Sequence, residues 1–564
     1  MNPFREEAVT LISRHTGLEP DAVESCLSKP PKLEFGDYAF PCFALAKKEK
    51  QAPNKLAAEL AGRLEQDFEL LEAAQASGPY VNLRVQRRKF AELVLRDALR
   101  EGEDVGSSTE GEGKVIAIDY SSPNIAKPFH VGHLRSTIIG GAIYRLFEKL
   151  GHPTLGINHI GDWGTQFGKQ IVGIKHWGKP EDIGDLSALN RLYVRYHQEE
   201  AKHPELTEEA REWFRKQEDG DAEALELWNG IRETSLKYFQ RVYDRLGAKF
   251  DHYQGESFYN DKMDSIVDAA EEKGLTSVSE GALVVDLQDH GIETPALLRK
   301  GDGATLYMTR DLAAASYRKK TYDFHKLLYV VGTPQSLHFQ QLFTVLKLLG
   351  EEWSEDCVHV NFGQVKGMST RQGNVIYLEE LLDEAKDRAL KYMSESVEKR
   401  TELENAEEVA ETVGIAAIFF SDLSKQRIKD YTFDWDHAIS FEGDTGPYLL
   451  NAHARIAGII RKCGVDVDPE TELSLLSELE AHQLVSLVSQ YQQTLREAAR
   501  LYEPSVLANY LLELARALHA SYNKLRVKGE EEGLARARLL LLTVVKNVLA
   551  SGMRVLGITP LERM

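Results

Sequence analysis

Two histidines three residues apart, His130 and His133, enclose Val131-Gly132 within the run Ser121 to Ser136, SSPNIAKPFHVGHLRS. At that spacing both imidazoles can face one side of a helix start. Backbone N–H groups and the helix dipole favour phosphate at such a place. Two imidazole donors there can stabilise charge that builds on an α-phosphate in a transition state. Gly132 has no side chain, so a flat ring such as adenine can lie against the backbone. Pro123 and the small residues around it shape a tight strand-to-helix turn. A bare HxxH pattern would be equally compatible with surface or metal-binding histidines; the wider string favours nucleotide chemistry.

Such a turn needs a strand before it and a helix behind it. Val115 to Tyr120 is a short apolar run of buried-strand type, and a helix is predicted from about Gly132 to Leu150. Further strands are predicted at Thr154–Asn158, Leu327–Val331 and Val358–Val360, with helices such as Leu337 to Leu349 between some of them. Strands alternating with helices imply a parallel sheet wound in the Rossmann manner, which binds ligands beyond the carboxyl ends of its strands. The loops after Tyr120 and after Val331 are thus candidate site walls. His159 to Gly168, HIGDWGTQFG, follows the second strand, and its glycines permit close backbone approach. This unit is placed at residues 111–385, with a charged, helix-rich insertion at about 177–304.

Before it, residues 1–110 mix amphipathic helices with strand-like pieces. Ala58 to Leu70 has helical periodicity, and Tyr80 to Val85 alternates like a strand after the Gly78-Pro79 turn signal. The run EGEDVGSSTEGEG reads as an exposed linker. From Leu378 on nearly everything reads helical, so 386–564 forms a third, all-α unit.

Composition places bounds on function. Of 564 residues, 43% are apolar and 28% charged, near the globular average. No run approaches the ~20 apolar residues of a membrane span, and the first residues carry no apolar leader segment; a cytoplasmic protein is expected. Cys26, Cys42, Cys357 and Cys463 are scattered, so structural zinc is not expected. The formal charge of −20 weighs against nucleic acid, although binding depends on local patches rather than the sum.

The loop around His130 resembles the first signature of class I aminoacyl-tRNA synthetases. With Asn124 and Lys127 placed as they are, the whole string is similar to the arginyl-tRNA synthetase family. The resemblance implies a multidomain α/β protein. Its parts would be a Rossmann-type catalytic domain with a helical insertion, an α+β N-terminal domain and an all-α anticodon-binding domain. It implies ATP-dependent formation of arginyl-adenylate, with Mg²⁺ accompanying ATP, and transfer of arginine to tRNA(Arg). It also implies that activation needs tRNA present; a monomer is expected. His130, His133 and Lys127 become the catalytic candidates. Lys366-Gly367-Met368-Ser369-Thr370-Arg371 sits where the second signature belongs and departs from KMSK, with Gly367 and Thr370 in place of its lysines. Lys127, Lys366 and Arg371 are expected to share the pyrophosphate charge. Gly132, Gly161, Trp163, Met368 and Ser369 join them in ATP binding, with Asp162 and Gln166 on the same wall.

Arginine presents a planar fork that pairs with carboxylates. The resemblance assigns Asp119, Asn124, Tyr307, Asp311 and Gln335 to its pocket. The runs DLSKQRIKDYTFDWDHAISFEGDTGPYLLNAHAR and HASYNK look like the family's anticodon-binding domain, where Tyr522 and Asn523, read as sharing one helix, are tRNA candidates by stacking and base-edge bonding. Phe35 to Ala39 and Gly78 to Asn82 look like its N-terminal domain, with Tyr80 and Asn82 as candidates for the tRNA D-loop. Glu256-Ser257-Phe258-Tyr259 also has a counterpart, without an assigned role. Gly367 leaves open a tRNA-binding paralogue with weakened or lost charging activity. Another class I ligase, such as the cysteine enzyme, would need thiolate-rich zinc ligands.

Overall fold

Three antiparallel strands, β1 (Tyr38–Pro41), β2 (Leu71–Ser77) and β3 (Tyr80–Val85), form the N-terminal sheet with β3 in the middle. The computed structural model describes residues 3–125, 129–300, 307–367, 377–396, 405–464 and 467–564. The helix Pro53–Leu64 buries Leu60 and Leu64 against this sheet but stops before the predicted Leu70. The Glu7 carboxylate accepts the backbone N–H groups of Glu69 and Leu70, which turns the chain into β2 instead.

The Gly- and Glu-rich run after Arg100 is exposed over most of its length, as its composition suggests, but it is pinned at Val105 and Gly106. Val105 is buried, and its carbonyl accepts a hydrogen bond from the Ser551 hydroxyl, 3.0 Å away. A Cβ on Gly106, at φ 81°, would come within 2.7 Å of the Tyr491 ring. The glycines let this segment lie flat on the C-terminal helices.

The central sheet is parallel throughout. β4 (Ile116–Asp119) is wholly buried, as an apolar run should be. β5 (Thr154–Asn158) and β6 (His252–Tyr253) extend it on one side; β10 (Lys326–Tyr329) and β11 (Cys357–His359) extend it on the other. The order β11-β10-β4-β5-β6 reverses between β4 and β10, the switch point where open α/β sheets bind ligands. The stretch 177–304 is helical over Leu186–Glu200, Glu205–Glu218 and Ala222–Leu246. It also supplies β6 to the central sheet, and carries an antiparallel sheet of β7 (Thr276–Ser279), β8 (Ala282–Val285) and β9 (Ala296–Arg299).

The C-terminal unit packs helices from Ala406–Leu423 to Glu532–Val555. Several of its helices pack on the helix Leu134–Lys149, and a short strand, β13 (Tyr431–Thr432), pairs in parallel with β12 (Val365–Lys366). Arg135 lies behind that pairing, in the first turn of the helix Leu134–Lys149. Its Nε is 2.8 Å from Asp422 Oδ2, and both side chains are at most 3% exposed. Its Nη1 donates to the carbonyls of Gly363 (2.7 Å) and Lys429 (3.2 Å). Tyr431 donates its hydroxyl to the same Asp422 oxygen at 3.0 Å. Burial pushes the Asp422 carboxyl above its usual range, and Arg135 and Tyr431 oppose that push.

Removing one partner of a buried pair leaves the other charge uncompensated, at a cost of about 3–5 kcal/mol. Asp422→Ala should therefore lower the thermal midpoint sharply. Asp422→Asn, which can still accept from Tyr431, should lower it less.

Candidate active site

A cleft of about 1510 Å³ opens at the carboxyl ends of β4 and β10. Its floor begins where β4 stops. Ser121 and Ser122 take φ of 68° and 46°, a left-handed conformation unusual for residues with a Cβ. Each such residue stores about 1–3 kcal/mol and persists only when its surroundings hold it. Here the Ser121 N–H donates to Ser136 Oγ, its hydroxyl meets those of Tyr243 and Thr137, and Ser122 Oγ donates to Asp119 Oδ1 at 2.7 Å.

The HVGH segment follows as a short turn, Val131–His133, before the helix Leu134–Lys149. The His130 and His133 ring centroids are 4.1 Å apart. The Nδ1 of His130 accepts the Gly132 N–H at 3.0 Å, and the Nδ1 of His133 accepts the His130 N–H at 3.4 Å. Those bonds place the proton of each neutral ring on Nε2. The missing side chain of Gly132 is used first by the protein itself, because a Cβ there would lie 2.7 Å from the His130 ring. Gly132 and His133 line the cleft.

The second-signature segment is anchored to the first at both of its ends. On entry, Arg135 holds Gly363, and Gln364 and Lys366 bond to the backbone of Tyr431 and Phe433. On exit, Leu378 N–H donates to the Phe129 carbonyl, and Tyr377 pairs with His130. Lys366 is exposed, with Nζ 3.6 Å from Asp430. Gly367 has φ 85°, and a Cβ there would come within 2.9 Å of the Phe433 carbonyl. The first KMSK lysine is thus replaced by the residue that the β12–β13 approach permits. Lys127, Met368, Ser369 and Arg371 lie outside the described residues.

Asp119, Asn124, Tyr307, Asp311 and Gln335 all line the same cleft. Asp119 is largely spoken for: Arg318 Nη2 lies 2.8 Å from its Oδ2. Asp311 accepts from His338 Nε2 at 2.6 Å, and His159 stands 3.7 Å away. Burial works to raise the Asp311 carboxyl, but the His338 bond and the nearby His159 and Arg318 outweigh it and hold it below its ordinary value. Burial pushes the His159 imidazole down, against the pull of the nearby Asp119 and Asp311 carboxylates. Glu256 is pushed up to about 7 by burial, with Asp311 and Asp162 adding to the rise and Arg310 opposing it. Sequence reasoning gave no role to Arg318, His159, His338 or Glu256, although His159 opens the HIGDWGTQFG run and Glu256 the familiar ESFY string.

Gly161, Trp163 and Gln166 also line the cleft. Gly161 also serves a contact within the protein: a Cβ would meet the Asn124 backbone at 3.1 Å. Asp162 faces away, fully buried, bound by Arg232 Nε at 3.0 Å and by the backbone and hydroxyl of Ser257.

Among the tRNA candidates, Tyr80 is exposed and packs edge-on to Phe43. Asn82, in the middle strand of the N-terminal sheet, is only 6% exposed and cannot meet RNA as it stands. Tyr522 and Asn523 do not share a helix, because the helix Pro504–Ser521 ends just before them. Tyr522 is half-buried with the Arg455 guanidinium 4.4 Å over its ring; Asn523 is exposed in the turn.

A switch-point cleft with an HVGH turn on its wall, on a parallel sheet of this order, is the arrangement of a class I aminoacyl-tRNA synthetase. Residues 94–435 match the family described as tRNA synthetases class I (R), catalytic domain; residues 449–564 match the DALR anticodon binding domain; residues 6–85 match the arginyl tRNA synthetase N terminal domain. The arginine–tRNA ligase of Clostridium beijerinckii is 46% identical, with 100% of each chain covered. That of Halothermothrix orenii is 44% identical, again over 100% of each chain. The solved arginyl-tRNA synthetases of Thermus thermophilus and Plasmodium falciparum superpose with TM-scores of 0.83 and 0.84 at 27% and 25% identity, over the full length of each chain. The chain belongs to the arginine–tRNA ligase family.

Two outcomes follow from the geometry. Gly367→Ala should slow the ATP-dependent step by about tenfold or more, as a strained, displaced loop root would, with little change in thermal midpoint; burst kinetics would read it. Glu256 has a folded pKa of about 7 against an ordinary 4.5. A raised carboxyl favours folding below its ordinary pKa, and that contribution is lost as pH rises through the folded value. Glu256→Gln should therefore stabilise the protein by about 2 kcal/mol more at about pH 8 than at about pH 5.5, as read by denaturant melts.

Proposed function

We propose that this chain activates L-arginine with ATP to form arginyl-adenylate, releasing pyrophosphate, and transfers the arginyl group to the 3′ end of tRNA(Arg), releasing AMP. The observation that carries this reading is one cleft lined both by Gly132 and His133 of the HVGH turn and by the acidic pocket around Asp311, with the described ends of the second-signature segment anchored beside that turn. The Nε2–H groups of His130 and His133 donate to the α-phosphate as its charge builds. Gly132, Gly161 and Trp163 form the wall against which ATP lies. Lys127, Lys366 and Arg371 share the pyrophosphate charge, with Met368 and Ser369 in the same loop. Lys366 can leave Asp430 for this, since exposed pairs contribute only about 0–1 kcal/mol.

Asp119, Asn124, Tyr307, Asp311 and Gln335 hold arginine, and Tyr80, Tyr522 and Asn523 meet tRNA. Among the described residues no cluster of three or more His, Cys, Asp or Glu could hold a metal; Mg²⁺ would enter on the ATP phosphates, which need a hard cation. No helix among the described residues is long and apolar enough to cross a membrane. We place the enzyme in the cytoplasm, acting as a monomer.

Incubation with labelled arginine, ATP and bulk tRNA should make arginine acid-precipitable; none precipitating would end this reading and favour a paralogue that binds tRNA without charging it. Lys127→Ala should slow arginine activation by about a hundredfold, as loss of one charge on the transferring phosphates does. An unchanged pre-steady-state rate would remove Lys127 from the phosphate-binding set.

A further inference from the structure

The run Phe35-Gly36-Asp37-Tyr38 leads into β1, and at Asp37 it joins two units of the molecule. The Asp37 backbone N–H donates to the Leu83 carbonyl at 2.7 Å, and its Oδ2 accepts the Val85 N–H at 2.9 Å, so the residue is fixed to the middle strand β3. A Cβ on Gly36, at φ 134°, would lie 2.6 Å from the Leu83 carbonyl oxygen, so glycine is what lets the loop come this close. The other carboxylate oxygen crosses to the C-terminal unit. Asp37 Oδ1 is 2.7 Å from Nε2 of His482, with both side chains at most 5% exposed. A carboxylate only accepts, so the imidazole donates.

His482 lies in the helix Leu479–Ser489. This helix packs against the N-terminal helix Arg87–Glu101, where the Phe90 ring is 5.9 Å from the imidazole, and against the helix Pro504–Ser521. Two residues before His482, Glu480 accepts from the Lys524 ammonium, one residue beyond Asn523. The helix that receives Asp37 thus also holds the Tyr522–Asn523 turn. On the other side Tyr80 begins β3, three residues before Leu83, and is exposed beside the exposed Phe43. The Asp37–His482 bond therefore stands between the two surfaces read as meeting tRNA. Apolar contact around Phe90 favours association without fixing direction, whereas a hydrogen bond constrains both distance and angle. The pairs Arg88–Glu472 and Lys29–Glu513, at the rim of the same contact, are exposed and contribute little.

We infer that Asp37 and His482 are positioning residues for tRNA: their buried bond fixes the N-terminal sheet against the C-terminal helices, so that Tyr80 and the Tyr522–Asn523 turn engage one tRNA molecule together. This rests on the reading of those residues as tRNA contacts and goes beyond it by assigning the residues that set their separation. Two contacts carried on one rigid body make the second binding event intramolecular, which can raise affinity by about 10²–10⁴ over either contact alone, and the gain is lost when the geometry prevents both at once.

The test compares binding of the intact tRNA(Arg) transcript with binding of its isolated anticodon stem-loop, together with steady-state aminoacylation, all by the full-length enzyme. His482→Leu should weaken intact-tRNA binding and raise KM for tRNA by about tenfold, while stem-loop binding and KM for ATP and arginine stay within about twofold. His482→Gln, whose amide can still donate, should bind intact tRNA within about threefold of the parent enzyme. His482→Leu leaves the Asp37 carboxylate buried without its partner, so it should also lower the thermal midpoint. Adding Asp37→Asn removes that charge and keeps an acceptor for Val85; it should recover the midpoint but not the tRNA affinity, and it carries the test should His482→Leu alone fail to fold. The inference is overturned if the variants bind intact tRNA as the parent does, if the stem-loop weakens as much as the intact tRNA, or if tRNA affinity returns with the midpoint. Tyr80→Ala is the separate control. If it leaves intact-tRNA binding unchanged, the reading of Tyr80 as a tRNA contact fails whatever His482 does; if it weakens binding while the His482 variants behave as the parent enzyme, only the role given to Asp37 and His482 fails.

Discussion

The buried contact between Arg135 and Asp422 is the constraint on which the rest of the site depends. A charged pair at that depth carries a desolvation penalty that attraction alone often fails to offset, so its value lies in geometry. Arg135 sits two residues beyond His133, and its guanidinium reaches the carbonyl of Gly363, the carbonyl of Lys429 and the carboxylate of Asp422. One side chain therefore fixes the distance between the first-signature helix, the strand leading into the second signature, and the helical unit beyond. The β12–β13 pairing extends this clamp up to Gly367. The bonds from Phe129 and His130 to Leu378 and Tyr377 close it on the other side.

The cleft itself is an exercise in charge balance. Asp119 is answered from inside the protein by Arg318, Asp311 is steadied by His338, and Glu256 stands opposite Arg310. The strained serines at the end of β4 belong to the same economy, since they turn Ser122 back onto Asp119.

Much of this was legible in the sequence, and what was legible has a common physical reason. The HVGH turn, the GDWGTQFG run and the second-signature segment are continuous strings whose spacing is set by local backbone, so one chain suffices to see them. β4 was visible because a strand buried on both faces must be apolar throughout. Arg135 and Asp422 were not visible, being far apart in the chain and polar, the type normally expected at the surface. Arg318 was hidden for the same reason: on a helix, an arginine two turns from an aspartate reads as a solvated face. The run after Arg100 was legible as exposed, but its pinning at Val105 and Gly106 was not, because the partners Ser551 and Tyr491 lie far along the chain. Asn82 and the Tyr522–Asn523 turn misled because residue type predicts chemistry but not exposure, nor where a helix stops.

The most direct test of the whole arrangement is a crystal structure of the enzyme with a non-hydrolysable arginyl-adenylate analogue and tRNA. The account predicts the guanidinium in the acidic pocket around Asp311 and the phosphate surrogate within hydrogen-bonding reach of Nε2 of His130 and His133. A guanidinium seated outside that pocket, or an adenylate bound away from the two histidines, would contradict it.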